Sequence, residues 1–318
     1  MKLIIALILL LITPRFSRAE PITLDTPSGT LYGTLKLPKT TLPFPVALIL
    51  AGSGPTNRDG DTLSLGGEND SLRLLAEGLA AQGIASVRYD KRGVGASAKA
   101  ETKEANLRFE TYIDDAVLWG KKLRSDSRFS SLTIIGHSEG ALIGMVASSK
   151  LGVDAFVSIA GIGRSPGQVI LEQVGAKLPP DLVKQAEQIV KALTEGKTVD
   201  VVPAELNSLF RPSVQPYVIS WFRYDPLKEI EKLSASILVV QGTTDLQVSV
   251  QDAKLLAEEK PSARLLIIGG MNHVLKEVAI DQEQQFRSYI DPALPVVPDL
   301  INGVCQFIKG VKGKATSN

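Results

Sequence analysis

Two hydrophobic periods take turns along this chain. Short apolar runs, the length of buried strands, are separated by stretches whose apolar residues recur every three or four positions, as on one face of a helix. Thr30 to Leu37 alternates apolar and polar side chains, the mark of a half-exposed strand. Pro45 to Ala51 is continuously apolar and runs into glycine, which fits a strand covered on both faces. Ile84 to Tyr89, Leu132 to Ile135, Ala155 to Ile159, Ile237 to Val240 and Leu265 to Ile268 are further buried-strand candidates. Between them, Ser71 to Gln82 carries Leu72, Leu75, Ala76 and Leu79 on one stripe and stops at Gly83. Tyr112 to Leu123 and Ala141 to Lys150 are helical as well. Strand–helix alternation of this kind predicts an α/β fold: a mostly parallel sheet with helices on both faces.

The alternation breaks between Gly163 and about Lys232. Prolines such as Pro166, Pro179, Pro180, Pro203, Pro212 and Pro216 punctuate helical patterns such as Leu182 to Leu193, and no buried-strand run occurs. A stretch this long is not expected to be plain loop, so residues 164–232 are read as a helical insertion between two parts of a core, 20–163 and 233–318. The tail beyond Lys309 is small and charged and is expected to fray.

The N-terminus follows a different logic. Met1-Lys2 precedes an unbroken apolar run from Leu3 to Ile12, then Pro14, then small residues at Ser17 and Ala19. That is the pattern of a secretory signal, with cleavage expected after Ala19. The run is shorter than the ~20 apolar residues a bilayer span needs. The expected product is exported, periplasmic or secreted, with no stable membrane anchor left after cleavage.

Composition narrows the possibilities. The chain has 318 residues, 35 Lys+Arg against 34 Asp+Glu, a formal charge of +1, one cysteine and two histidines. Near-neutral charge argues against nucleic acid as a partner. Removing residues 1–19 takes Lys2, Arg15 and Arg18 and no acid, leaving 32 basic against 34 acidic residues, a formal charge of −2. A lone cysteine, Cys305, makes no internal disulfide, and two histidines leave little for a metal site. No cofactor and no metal are expected.

The chemistry concentrates in Gly136-His137-Ser138-Glu139-Gly140, directly after one predicted strand and before a predicted helix. G-x-S-x-G in a strand–turn–helix setting is the pattern of a nucleophile elbow, with Ser138 as nucleophile. Its glycines are needed because side chains beside a sharply turned serine would strike the neighbouring strand and helix. A serine hydroxyl needs a base. His137 lies on the elbow itself, where its ring cannot easily face the serine oxygen, so it is read as structural. That leaves His273, in the loop after Leu265–Ile268. The acid that orients it should follow a late strand. Asp245 does, whereas Asp225 precedes its strand, Asp252 falls inside the next helical pattern and Asp281 follows His273. Two backbone N–H groups complete the set as oxyanion donors: that of Glu139, next to the nucleophile, and that of Ser53 in the glycine-flanked loop Gly52-Ser53-Gly54.

This constellation resembles the α/β-hydrolase family across nearly the whole chain after residue 19. Ala51 to Gly54 match the family's oxyanion turn, with Ala51 where a histidine is common, and Asp90 to Ser97 match its D-x-R-G-x-G-x-S segment. Residues 52–60 together with the G-H-S-E-G elbow are similar to a group of bacterial carboxylesterases. The resemblance implies hydrolysis of a small-molecule ester through an acyl-enzyme on Ser138, beneath a helical cap formed by the insertion. It implies that Asp90 to Ser97 shape the loop beside the site, and that Asn57, Arg58 and Asp59 are structural or rim residues. Phe210, Trp221, Phe222 and Tyr224 fit either an acyl-site wall or the cap's own core. Glu139 is expected to pair with an arginine such as Arg58. A proline-type aminopeptidase of the same fold is an alternative; it would need a carboxylate from the cap or rim, and Glu172, Asp181, Glu187, Glu195 and Glu205 are available. A thioesterase and a non-catalytic binding protein complete the alternatives. The sequence leaves the oligomeric state open.

Overall fold

A computed structural model describes residues 18–62, 66–101 and 103–311. The expected signal segment falls outside the described residues except for Arg18 and Ala19, and the far C-terminal tail falls outside them too.

The apolar runs line up as one eight-stranded sheet. Its strands are β1 (Arg18–Thr26), β2 (Gly29–Leu37), β3 (Phe44–Leu50), β4 (Ala85–Tyr89), β5 (Phe129–His137), β6 (Ala155–Ile159), β7 (Ser236–Gly242) and β8 (Arg264–Ile268). Their spatial order is β1-β2-β4-β3-β5-β6-β7-β8. β1 and β2 form an antiparallel hairpin, β2 pairs antiparallel with β4, and every later pairing is parallel.

Both faces of the central strands are apolar, which is why these strands read as unbroken runs rather than alternations. Val46, Leu48 and Leu50 of β3, Ile134 of β5, Phe156 of β6 and Val239 of β7 enter one core layer. Ala47, Ile49, Ile135, Val157 and Val240 enter the other. The first layer is covered by α2 (Phe109–Arg124), α3 (Glu139–Leu151) and α9 (Val250–Glu259), which contribute Phe109, Trp119, Met145 and Leu256. The second is covered by α1 (Ser71–Ala81) and α11 (Pro298–Gly310) through Leu72, Leu75, Leu79, Leu300 and Val304.

Two details depart from the sequence reading. β1 is a strand of the sheet although no strand is expected there; Ile22 and Leu24 pack against the first layer, and Pro21 is tolerated because β1 is an edge strand. The expected cleavage after Ala19 would remove only its first two pairs, Arg18 with Leu37 and Ala19 with Lys36. β8, read as a buried strand, is the opposite edge, and its Leu265 and Ile267 are exposed. Only Leu266 and Ile268 face the second layer.

Between β6 and β7 lie α4 (Pro166–Gly175), α5 (Pro180–Thr194), α6 (Asn207–Phe210), α7 (Gln215–Trp221) and α8 (Pro226–Glu231). α4 to α7 carry a small core of their own, in which Ile170, Ile189, Leu193, Phe210 and Val218 are buried. α8 does not join it, because Ile230 belongs to the sheet's first layer. A short helix, α10 (Gln282–Ser288), follows β8. Among the described residues no helix is long and apolar enough to cross a membrane.

The sheet order locates the site. From β3 the chain moves through α1 to β4 on one side, then crosses back through α2 to β5 on the other. Where that direction reverses, the loops after β3 and β5 diverge and leave a crevice at the carboxyl ends of the strands. Beside it, Arg92 is held by Asp115 of α2 through a two-pronged pair, Nε to Oδ2 at 2.7 Å and Nη2 to Oδ1 at 2.5 Å, with both side chains buried. Asp115→Ala strands that guanidinium in the interior and is expected to cost ~3–5 kcal/mol, read as a lower urea midpoint at unchanged slope.

Candidate active site

Ser138 stands at the junction of β5 and α3 with φ 55° and ψ −123°, a left-handed conformation that is costly for a side-chain-bearing residue. The surroundings enforce it. The Ser138 N–H donates to the Ile159 carbonyl at 2.9 Å, and the Ser138 carbonyl accepts from Ala141 N–H at 2.9 Å. A Cβ on Gly136 would collide with the Gly140 carbonyl oxygen and lie 2.5 Å from Ala141 Cα; one on Gly140 would lie 2.5 Å from the Leu50 carbonyl oxygen. The elbow motif therefore marks a place where a helix, its strand and the neighbouring strand touch backbone to backbone.

The loop after β8 brings His273 over the elbow. Asn272 holds that loop, its Oδ1 accepting from Lys276 N–H and its Nδ2 donating to Gln285 Oε1 and Ser288 Oγ. His137 braces it: the ring Nε2 donates to the His273 carbonyl at 2.8 Å, and the two imidazoles lie 4.9 Å apart. Burial, reinforced by the neighbouring His273, pushes the His137 pKa down to about 3. His137 is thus a neutral structural donor and not a base.

Asp245, in the loop after β7, lies 2.9 Å from His273 Nδ1 through Oδ2. The same oxygen accepts from Gln241 Nε2 at 3.0 Å, and Oδ1 accepts from the N–H groups of Gln247 and Val248 at 2.8 and 3.0 Å. Burial works to raise the carboxyl's pKa, but His273 and these N–H donors outweigh it and hold the group below the usual carboxylate range. A carboxylate can only accept, so His273 Nδ1 carries the proton and Nε2 is the nitrogen left basic. The competing aspartates have other tasks. Asp225 and Asp281 cap α8 and α10, and Asp252 binds Arg164 while closing the N-terminus of α9.

Ser53, Ser138 and Glu139 line one wall of an open cleft. Gly52 lies against Ser138, since a Cβ there would sit 3.1 Å from Ser138 Cβ. The Glu139 N–H opens α3 and has no carbonyl one turn earlier to bind. Most of the remaining lining comes from the insertion: apolar Val169, Ile170, Leu209, Val214, Val218 and Trp221, with Gln173, Ser208 and Tyr217 among them. Of the four aromatic candidates, only Trp221 lines the cleft. Phe210 is buried in the cap core, Phe222 packs against that core, and Tyr224 reaches Glu110 on α2. Among the described residues no group of His, Cys, Asp or Glu is arranged to hold a metal.

Glu139 does not pair with Arg58. Arg58 is held by Asp90, Nη2 to Oδ2 at 2.7 Å and N–H to Oδ1 at 2.8 Å. Asp90 also accepts from Ala96 N–H, and Asn57 Oδ1 accepts three successive N–H groups, so this segment fixes the loops beside the site. The partners of Glu139 are Lys91, with Nζ 3.8 Å from Oε2, and Tyr217 of α7, whose hydroxyl donates to Oε1 at 2.8 Å. Sequence reasoning passes over both. Lys91 stands inside the quoted D-x-R-G segment at its variable position, and Tyr217 has no motif around it. Burial lowers the Lys91 pKa, with Glu139 acting the other way.

Comparison with known proteins gives a consistent picture. The α/β-hydrolase family described as serine aminopeptidase S33 matches residues 66–277. Esterase EstD of Thermotoga maritima is 26% identical over 248 residues, 77% of this chain. The chain spans 58% of EstD's length, less than two thirds of it. Among solved structures, Est1E from Butyrivibrio proteoclasticus is 14% identical, with a TM-score of 0.57 over 91% of this chain and 99% of that one. An esterase of Pyrococcus furiosus is 16% identical, with a TM-score of 0.59 over 93% of this chain and 92% of that one. These structural likenesses establish the α/β-hydrolase fold.

The buried neutral His137 predicts an acid sensitivity with a defined sign. Between about pH 6.5 and pH 3 the unfolded chain takes up a proton at this residue and the folded one does not, so stability falls as pH drops through that window. His137→Gln retains an amide donor for the His273 carbonyl but does not titrate. Urea midpoints measured from pH 7 to pH 4.5 should decline less steeply for this variant than for the parent.

Proposed function

The chain belongs to the serine aminopeptidase S33 family of α/β-hydrolases, and from that premise we propose that it is an exported serine carboxylesterase acting on neutral esters with an apolar acyl group. The observation that carries the reading is a His273–Asp245 pair tied to the elbow that presents Ser138 to a cleft, whose lining is mostly apolar, with Gln173, Ser208 and Gln247 among the polar exceptions, and whose only acidic lining residue, among those described, is Glu139. That carboxylate is already engaged by Lys91 and Tyr217.

In the proposed mechanism His273 Nε2 takes the proton of Ser138 as its oxygen attacks the ester carbonyl. The N–H groups of Ser53 and Glu139 hold the oxyanion. Asp245 keeps Nδ1 protonated and stabilises the imidazolium. His273 then returns the proton to the departing alcohol, and water cleaves the acyl-enzyme with the same base. The names of EstD and of the two esterase structures support this reading. Export is supported by the charged start, apolar run and small residues of positions 1–19.

The family's description makes an aminopeptidase the rival. Such an enzyme needs a free carboxylate to hold the substrate's α-ammonium. None of Glu172, Asp181, Glu187, Glu195 and Glu205 lines the cleft. Glu172 pairs with Arg164 at 2.6 Å and Glu195 with Lys197 at 2.7 Å.

A fluorophosphonate probe is expected to label the protein at Ser138 and not to label Ser138→Ala. p-Nitrophenyl esters should be hydrolysed, and aminoacyl-anilides should not. Anilide turnover without ester turnover would replace the esterase by the peptidase; no labelling at all would remove the serine-hydrolase reading. His273→Ala should lower kcat by ~10³-fold or more, leaving the residual rate owed to binding and the oxyanion donors.

A further inference from the structure

Lys91 is a buried cation whose closest contact is not a charge. It follows β4, the neighbour of β3, and is 4% exposed. Its Nζ donates to the carbonyl oxygen of Gly52 at 2.5 Å, while the nearest Glu139 oxygen is 3.8 Å away and the Tyr112 ring centroid 5.3 Å. A buried lysine matched only to a carboxylate would close to ordinary charge-assisted bonding distance, ~2.8 Å. Here the short bond goes to a backbone carbonyl.

That carbonyl belongs to the peptide unit that also carries the Ser53 N–H. The unit is planar and trans, so its N–H points away from its C=O. With the oxygen drawn to the buried ammonium, the N–H is turned to the opposite side. Ser53 lines the cleft with Ser138 and Glu139, and Gly52 abuts Ser138. A cation bonded to the oxygen also polarises the amide and strengthens the same N–H as a donor. The second oxyanion donor is the N–H of Glu139, whose side chain faces Lys91. One ion pair therefore braces both donors against each other.

We propose that Lys91 is the positioning residue of the oxyanion hole, fixing the Gly52–Ser53 peptide so that the Ser53 N–H faces the oxyanion formed on the Ser138 adduct. This rests on the serine-hydrolase reading above. It assigns the lysine a role in the transition state and none in holding the substrate.

The test compares the parent, Lys91→Met, Lys91→Gln, Glu139→Gln and the double variant Lys91→Met/Glu139→Gln on a p-nitrophenyl ester. Inhibition by a trifluoromethyl ketone, whose adduct with Ser138 carries the oxyanion, is measured alongside. Lys91→Met should lower kcat by ~10- to 100-fold, somewhat less than the loss of a donor outright, with KM changed by less than about threefold. The inhibition constant of the ketone should rise by the same factor as kcat/KM falls. Lys91→Gln should recover part of the rate, because its amide can still donate to Gly52. The double variant leaves no unmatched buried charge, so it carries the test even if Lys91→Met folds poorly; its kcat should fall below that of Glu139→Gln by the same ~10- to 100-fold. A double variant as fast as Glu139→Gln would reduce Lys91 to a counter-ion and overturn the proposal, as would a loss confined to KM. A parent that neither reacts with the fluorophosphonate nor turns over ester would remove the hydrolase reading and this inference with it. An active parent matched by an equally active Lys91→Met would remove the inference alone.

Discussion

The contact of α3 with the ends of β3 and β5 is the constraint on which the site depends. The helix enters so close to the sheet that the two glycines flanking the turn meet backbone atoms where side chains would be. Ser138 has no room for relaxed dihedrals and is held at φ 55°. The strain is offset by packing on all sides, since the inner residues of α3, from Ala141 to Ala147, are all buried. A hydroxyl presented this way stands clear of the sheet at its carboxyl edge, beside a helix N-terminus whose free N–H groups favour negative charge. The later loops gain their positions by reference to this turn. The β8 loop is tied to it through His137, and the β3 loop lies against Ser138 through Gly52.

Three ionisable groups beneath the site, Asp245, His137 and Glu139, are each met by partners, whereas the buried Gln241 Oε1 beside them accepts no hydrogen bond among the described residues. Asp245 accepts from four donors, three of them other than the imidazole, so its carboxylate does not depend on His273 alone. His137 is kept neutral by burial and spends its N–H on a backbone carbonyl. Glu139 is satisfied from two directions, by the cap and by the sheet domain. A half-matched network in this low-dielectric setting would be costlier than an apolar one. The bonds to Asp245, His137 and Glu139 hold the geometry in place without substrate.

Much of this was legible in the sequence, for reasons that differ residue by residue. The central strands announce themselves because both of their faces are covered. The elbow is visible because its backbone contacts exclude every residue but glycine. His273 follows from scarcity, with two histidines in the chain and one of them on the elbow itself. Asp245 follows from strand order. The edges were harder. β1 carries only Ile22 and Leu24 as apolar markers, and β8 is as apolar as a central strand although one of its faces is open. Lys91 and Tyr217 were out of reach, because a lysine bonded to a carbonyl on a neighbouring loop and a tyrosine 78 residues from its carboxylate leave no periodic trace.

The Tyr217 hydroxyl joins the cap to the residue that follows Ser138. Cap and elbow are therefore one mechanical unit, and the cap is not an interchangeable module. A cap grafted from a relative would have to bring a hydroxyl to the same spot or leave Glu139 short of a partner in the interior. On the proposed esterase reading, acyl selectivity is accordingly easier to alter at Leu209, an exposed residue of α6 that lines the cleft away from the helix carrying Tyr217. For a protein engineer, the tunable part of this scaffold is the wall of the cleft, and the Tyr217–Glu139 joint is fixed.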